Sequence, residues 1–518
     1  MMKAYLTLAA FTATLLAGTA AGAVTGNARN GLTAMQGLNV IALKNLNAGG
    51  GEIEGKAYVG SNFTGNTVQV GFGNSQQGQK ASSYATLTVG GALSNGVNLY
   101  DGPNGASGRL GSYGAYVVGN AGGKIDLKNK AATVNVGGNL DAIGFVGGSN
   151  AAEGTTLNVV GKVNQSLDLG DYSKATIGCA GVGGGTCVGT IQGGNAGAVV
   201  KVRGNVSTLQ FGPGGTAQIG GNLGNANLNN NQSVSVTGAI GGGSFGNGNT
   251  VKALGSIAGN GSNGTSIYAG GAFNGNANGA SVNANYNFAA PGAVSAPTSP
   301  TAPVVGTIDA ATAQLEADVK SLSTYLGGLT ATNFVSGAPG NPAQMTFTVT
   351  NTDASTAAVF NLTAAQFNNA QQFQFNLANL LKPVIINVSG ASSYTWNGTF
   401  ASGSGAFGVG DLKQLNQSLI WNFVGATSIE VSREVHGSLL APYATVHNGS
   451  NIEGSVVAND FNLGAEVHLG TYARTANFVP NDGGTVGAVP EPAQWALFIA
   501  GFGLVGGMAR RRRSPAIA

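Results

Sequence analysis

Val202-Arg203-Gly204-Asn205-Val206 is followed, seventeen residues on, by Ile219-Gly220-Gly221-Asn222-Leu223. Both read apolar, any residue, Gly, small polar, apolar. The phrase returns as Val236-Thr237-Gly238-Ala239-Ile240, Ala253-Leu254-Gly255-Ser256-Ile257 and Ala269-Gly270-Gly271-Ala272-Phe273, its central glycines 17, 17, 17 and 16 residues apart. Looser copies stand at Val89–Leu93 and Val136–Leu140, and two more at Val435–Leu439 and Ile452–Val456. Self-similarity at a fixed short period is the mark of a solenoid.

Seventeen residues hold two or three short strands and tight corners, which is one coil of a β-helix. Coils stack ~4.8 Å apart through backbone hydrogen bonds. One apolar residue per equivalent position, here Val206, Leu223, Ile240, Ile257 and Phe273, then builds an internal column. No single coil buries its own apolar side, so stability comes from stacking. The central glycine is expected to supply corner angles that a Cβ makes costly. Asn205 and Asn222 are placed to stack as a polar ladder. The expected fold class is mainly β: a discontinuous β-solenoid with one long α-helix packed alongside, plus terminal signal and membrane helices. A Gly/Asn-rich disordered linker is the plain alternative, and the regular apolar positions argue against it.

The pattern breaks over residues 289–306, which carry Pro291, Pro297, Pro300 and Pro303. A helix is expected next, capped by Asp309, with Leu315, Val319, Leu322 and Leu326 on one stripe and Gly327-Gly328 as the stop. Thr363 and Gln366 match a capping box. Strands are expected at Gln344–Val349, Phe373–Leu377 and Val384–Val388, and the solenoid resumes from Leu419 to about Tyr472. The expected division is a signal peptide over 1–23, a Gly-rich solenoid over 24–290 and a crossover with its helix over 291–330. The solenoid is completed over 331–475, followed by a linker over 476–488 and a sorting tail over 489–513.

Composition narrows the function classes. Of 518 residues 88 are Gly, only 8% are charged, and 42% are hydrophobic. No Gly-X-Y period runs through the chain, which excludes collagen, and the apolar content is too high for general disorder. The formal charge of +3 arises at the ends. Setting aside Lys3, Glu491 and Arg510 to Arg513 leaves 18 basic against 19 acidic residues. A neutral body offers no electrostatic footprint for nucleic acid.

Both ends carry addresses. Lys3 precedes an apolar stretch from Ala4 to Ala17, and Ala21-Gly22-Ala23 forms an A-x-A-like site, so a secretory signal peptide cut after Ala23 is expected. Near the other end Pro490-Glu491-Pro492 and Trp495 precede an apolar run from Phe498 to Met508 and then Arg510, Arg511, Arg512 and Arg513. The apolar span is at the short limit for crossing a bilayer, and the four Arg would stay cytoplasmic. This three-part tail resembles the PEP-CTERM sorting signal of Gram-negative bacteria. The resemblance implies recognition by an exosortase, a membrane transpeptidase, with passage through the inner membrane and removal of the tail. A permanent single-pass anchor keeps the same topology. Cys179 and Cys187 bound a glycine-rich nine-residue loop that closes easily in an oxidising compartment; one disulfide is favoured, and two free thiols in a mobile loop are the alternative.

Two further segments carry a family resemblance. Leu38-Asn39-Val40-Ile41-Ala42-Leu43 with Ile53–Gly60 opens the body. Leu419-Ile420-Trp421-Asn422-Phe423, Gly437–Pro442 and Asn451–Ala458 close it. Together they resemble the signature ends of the choice-of-anchor A domain, a family that combines one extracellular domain with different sorting signals. Residues 80–290 depart from it by adding Gly-rich coils. The order solenoid, Pro-rich crossover, long helix, solenoid is also similar to the bacterial ice-binding-protein fold.

Chemistry is sparse. His436, His447 and His468 are the chain's only histidines, and with Glu453 and Glu466 they could form a metal site, although their spacing fits no standard ligand motif. The pairs Glu52/Glu54 and Asp168/Asp171 read as solvated faces more readily than as acid–base couples. The Ca²⁺-binding solenoid repeat Gly-Gly-x-Gly-x-Asp is missing. Neither a catalytic residue, a cofactor nor a metal is therefore expected. Thr86-Leu87-Thr88 and Thr346–Thr350 are the Thr-x-Thr candidates for an ice-binding face, without a 17-residue repeat. The function expected is that of an exported, surface- or matrix-associated structural or adhesive protein that is not an enzyme. It would bind exopolysaccharide or neighbouring surface components. The alternatives are an ice-binding protein and a polysaccharide-active β-helix enzyme.

Overall fold

The computed structural model describes residues 24–479 except 74–81, 102–111, 129–130, 146–152, 195, 339–340, 401–408 and 476. The period-17 region folds as triangular coils with three strand positions each. On the first face Val199–Val202, Thr216–Ile219, Ser233–Val236, Thr250–Ala253 and Ser266–Ala269 pair in parallel and in register. Val202, Ile219, Val236, Ala253 and Ala269 lie in one inward column, and each is buried. The second face is narrow, little more than the stack Val206, Leu223, Ile240, Ile257, Phe273. The third runs through Thr208–Phe211, Asn225–Leu228, Gly243–Phe245 and Asn260–Gly261. Alternating side chains put every second residue inside.

The coils do not stack in chain order. From the first coil the solenoid grows through Ala57–Val59, Leu87–Val89, Gly114–Val117 and onward to Ser281–Asn283. The C-terminal coils instead add to the opposite side of that first coil. Val40 pairs with Val456 on the first face, Leu46 with Phe461 on the second and Ile53 with Val467 on the third. The first-face ladder then continues through Leu439, Trp421, Ile386 and Phe360. This discontinuous ladder takes roughly seventeen steps of ~4.8 Å, a rod of about 80 Å. The solenoid resumes at Ala358–Thr363, earlier than the sequence pattern indicates.

The return from tip to base is made by the Pro-rich crossover. Ser299 lies beside Gly220, Pro303 beside Gly178 and Ile308 beside Gly90, and the Tyr116 hydroxyl donates to the Gly306 carbonyl at 2.7 Å. Nine residues at the ~3.1 Å rise of polyproline II cover about 28 Å. That matches roughly six coil steps of ~4.8 Å.

Two helices cover the outer side of the first face at the junction. Helix α1 spans Ala28–Gly37, and α2 spans Asp309–Gly327. Leu315, Val319, Leu322 and Leu326 are buried with Leu32 and Met35 of α1 against Ile41, Tyr58, Leu440 and Val457. Asp309 is the first helical residue and not the cap, which is Ile308; its negative charge still suits the positive helix end. The Thr363–Gln366 capping box forms and opens α3, Ala364–Asn369. A fourth helix, α4, runs Val409–Asn416.

In the period-17 region the central glycine has a different reason from the one its sequence suggests, although Gly437, in the copy Val435–Leu439, does have positive φ, +98°. Gly221 and Gly238 do not have positive φ. A Cβ on Gly221 would lie 2.3 Å from Asn205 Oδ1, and one on Gly238 2.1 Å from Asn222 Oδ1. The space is taken by an asparagine ladder, in which the Asn222 N–H donates to Asn205 Oδ1 at 2.7 Å and the Ala239 N–H to Asn222 Oδ1 at 2.8 Å. The left-handed backbone occurs at another corner, in Gly197, Gly214, Asn231, Gly248, Gly264 and Gly279, each three residues before an inward apolar position.

Candidate binding surface

The surface is built from outward residues at each coil. On the third face Gln192, Gln210, Asn227, Ser244 and Asn260 stand in one column, all exposed. Thr190, Thr208 and Asn225 stand beside them, in register and half-buried. On the first face Thr216, Ser233, Thr250, Ser266 and Ser281 form a hydroxyl column. It extends, through Val199 and Lys174, to Thr156 and Thr133. The column does not follow a Thr-x-Thr pattern, because Ser replaces Thr at several of its positions and the coils nearer the junction vary in length. Between Gly204 and Ile308 the single charged residue is Lys252. The distal rod thus presents amides and hydroxyls at the coil spacing of ~4.8 Å with almost no field.

Ionisable groups gather at the junction between first and last coils. His436, Glu453 and His468 are neighbours in one ladder. The His468 ring donates from Nδ1 to Glu453 and from Nε2 to Glu466 at 2.6 Å. These two carboxylates outweigh burial and push His468 up to about 10, so it is an imidazolium with both nitrogens engaged. Burial, then the nearby Glu466 charge, raises Glu52. Glu54 is buried and accepts the Leu469 N–H at 2.7 Å, so it locks the first coil to the last C-terminal coil and is not a solvated face. His436 is lowered by burial and bonds Asn416 Oδ1 at 2.9 Å. His447 lies on the second face against Glu430 at 2.8 Å. The three histidines do not converge, and among the described residues no cluster of His, Cys, Asp and Glu is arranged to hold a metal ion. Asp171 accepts the Ala196 N–H at 3.2 Å in a corner, whereas Asp168 pairs with Gln192 on the third face.

Cys179 and Cys187 are joined, with Cα atoms 5.5 Å apart, closing a loop between coils over Gly204. Ala21, Ala23, Pro490, Glu491, Pro492, Trp495 and Arg510 to Arg513 lie outside the described residues. Among the described residues no helix is long and apolar enough to cross a membrane; the expected span near the C-terminus lies outside them.

A discontinuous solenoid with a crossover, helices at its junction and a flat polar array defines a β-solenoid of the ice-binding-protein type. Residues 31–469 match the family model described as "Putative Ice-binding-like adhesive domain", and the chain belongs to that family. Residues 488–513 match the PEP-CTERM protein-sorting motif, a span that holds Pro490, Glu491, Pro492, Trp495 and the four Arg. No curated protein and no solved structure matches the chain. An adhesive domain with this motif makes it an exported, surface-associated protein. The motif implies processing by an exosortase and passage through the inner membrane of a Gram-negative cell.

Proposed function

We propose that the chain is a non-catalytic adhesive rod that binds exopolysaccharide, or a neighbouring surface component, through its third face at the cell surface or in the extracellular matrix. The observation that carries this reading is the exposed column Gln192, Gln210, Asn227, Ser244, Asn260 with its threonine neighbours. Amides and hydroxyls both donate and accept, so they suit a neutral polymer rich in hydroxyls. Weak contacts repeated along one rod add up through multivalency. The absence of charge within that column removes the salt dependence of an electrostatic adhesin. The test is retention of the full chain on exopolysaccharide from its own cells, in low and high salt. Retention should be insensitive to salt and lost when Gln210 and Asn227 are both replaced by Lys. Unchanged retention in that double variant, or none in the parent chain, would refute the assignment.

A second reading has its own observation, the hydroxyl column on the first face. Ordered hydroxyls at one spacing are also what an ice lattice would meet. Thermal hysteresis that disappears with Thr216→Lys and Thr250→Lys would move the function to that face.

A further inference from the structure

The two ends of the rod are finished differently. At the base the first and second faces are covered. The outer edge of Ala358–Thr363 is bonded by the Thr332 and Asn333 N–H groups to the Val359 carbonyl and by the Val359 N–H to Thr332 Oγ1. Helix α3 packs over Ser393–Trp396. On the third side Gln372–Leu377 and Asn341–Val349 add further strands, with Val335–Ala338 as the outermost. Beneath them Trp396, Trp421, Phe347 and Phe373 fill the interior, with the two Trp rings 4.7 Å apart.

At the tip nothing comparable is present among the described residues. Ser281–Asn283 pairs with Ser266–Tyr268 on one side and has no partner strand on the other. Phe273–Asn274 likewise pairs only with Ile257–Ala258. Because Ser281 turns its N–H inward to the Thr265 carbonyl, alternation turns the Val282 N–H and C=O outward. Phe273, Ala280 and Val282 continue the core columns but are only partly buried. Tyr286 and Phe288 do not cover them; Tyr286 packs edge-on against Tyr268 on the outer first face, and Phe288 packs against Tyr286. Open strand edges are normally guarded by charge, and open repeat ends by a polar cap. Here residues 253–308 contain no Asp, Glu, Lys, Arg or His at all.

We propose that the tip is an interface for a second copy of this chain, the two rods meeting tip to tip about a two-fold axis. Three arguments favour this occupant. The contact extends the coil-on-coil interface that builds the rod, adding one more strand to a ladder and one more layer to a core. A surface without charge does not repel its own copy, whereas most other surfaces of a cell carry charge. Finally, the first-face edge at the base is already bonded at Val359, so the open first-face edge of a tip finds its like on another tip, and such a contact is isologous and closes as a dimer. This inference does not rest on the ligand assigned to the third face.

Sedimentation of the full chain at micromolar concentration tests it. The parent chain should show twice the monomer mass and dissociate on dilution. The Val282 amide should exchange slowly at high concentration and rapidly at low. Val282→Lys places a charge in the contact and should leave a monomer. Asn276→Lys, on an exposed turn beside the edge where folding is not at stake, should weaken association by about ten-fold or more. A parent chain that is monomeric throughout overturns the proposal. So does a dimer indifferent to both variants, or a monomeric chain whose tip variants lose only polysaccharide retention, which would assign the tip to a different partner.

Discussion

Two glycines in neighbouring coils illustrate how one residue type answers two demands. Gly214 has φ +73°, and a Cβ there would meet only the Gly197 nitrogen at 3.8 Å, so space is not the constraint. Gly221 needs space for the Asn205 side chain and for the backbone beneath it, since a Cβ there would also lie 2.8 Å from the Asn205 nitrogen and the Gly204 carbonyl carbon. Gly214→Ala should therefore cost about 1–2 kcal/mol, the left-handed penalty of a Cβ, and Gly214→Asn clearly less. Gly221→Ala should cost about 1–3 kcal/mol as overpacking, and the loss should shrink when Asn205→Ala is added. Urea midpoints of the four variants decide this. The sequence displayed Gly221 prominently because it sits inside the repeated phrase. It hid Gly214, because the left-handed corner alternates Gly with Asn231, Tyr172 and Ala131.

The elements at the junction hold the two parts of the rod together. Here Ile53 meets Val467 on the third face, and His468 is clamped beside Glu54 between Glu453 and Glu466. Because the folded state holds the His468 proton up to about pH 10 against 6.5 for a free ring, the clamp contributes fully below about pH 6.5. Its contribution falls from there and is gone once pH passes about 10. Lys56 acts in the opposite sense, since burial pushes it down to about 8 and favours the neutral form. The His468 effect is therefore read as the stability difference between the parent and His468→Gln. That difference should be largest in mild acid and shrink toward pH 10; a difference that does not change across this range would contradict the assignment. Helix α2 was legible in its Leu315–Leu326 stripe. Helix α1 was not, because Gly31 and Gly37 weaken it as an isolated helix and docking decides its formation. Gly31 lies close against the Asp318 carbonyl, and the Asn27 N–H donates to the Asp318 side chain at 2.7 Å.

For the molecule as a whole, the period from 202 to 273 revealed the coil but not the order of coils. Periodicity says that coils stack; which coil receives the last ones depends on surfaces more than 400 residues apart, such as Val40 against Val456. The outward columns were also hidden, because they fall outside the repeated phrase and their members change between Gln, Asn, Thr and Ser. The stacking order has a functional consequence. The described chain ends beside α1, where Arg29 donates to the Val479 carbonyl at 2.6 Å. The tip stands roughly twelve coil steps of ~4.8 Å away, about 58 Å from that end of the described chain. The distance between labels at Thr395 and Asn276, measured by single-molecule fluorescence transfer in the full chain, tests this arrangement most directly. With the C-terminal coils stacked on the first coil the labels lie roughly fifteen coil steps apart, about 70 Å. A separation within about 25 Å, as coils stacked in chain order would give at ~4.8 Å per step, would contradict the account.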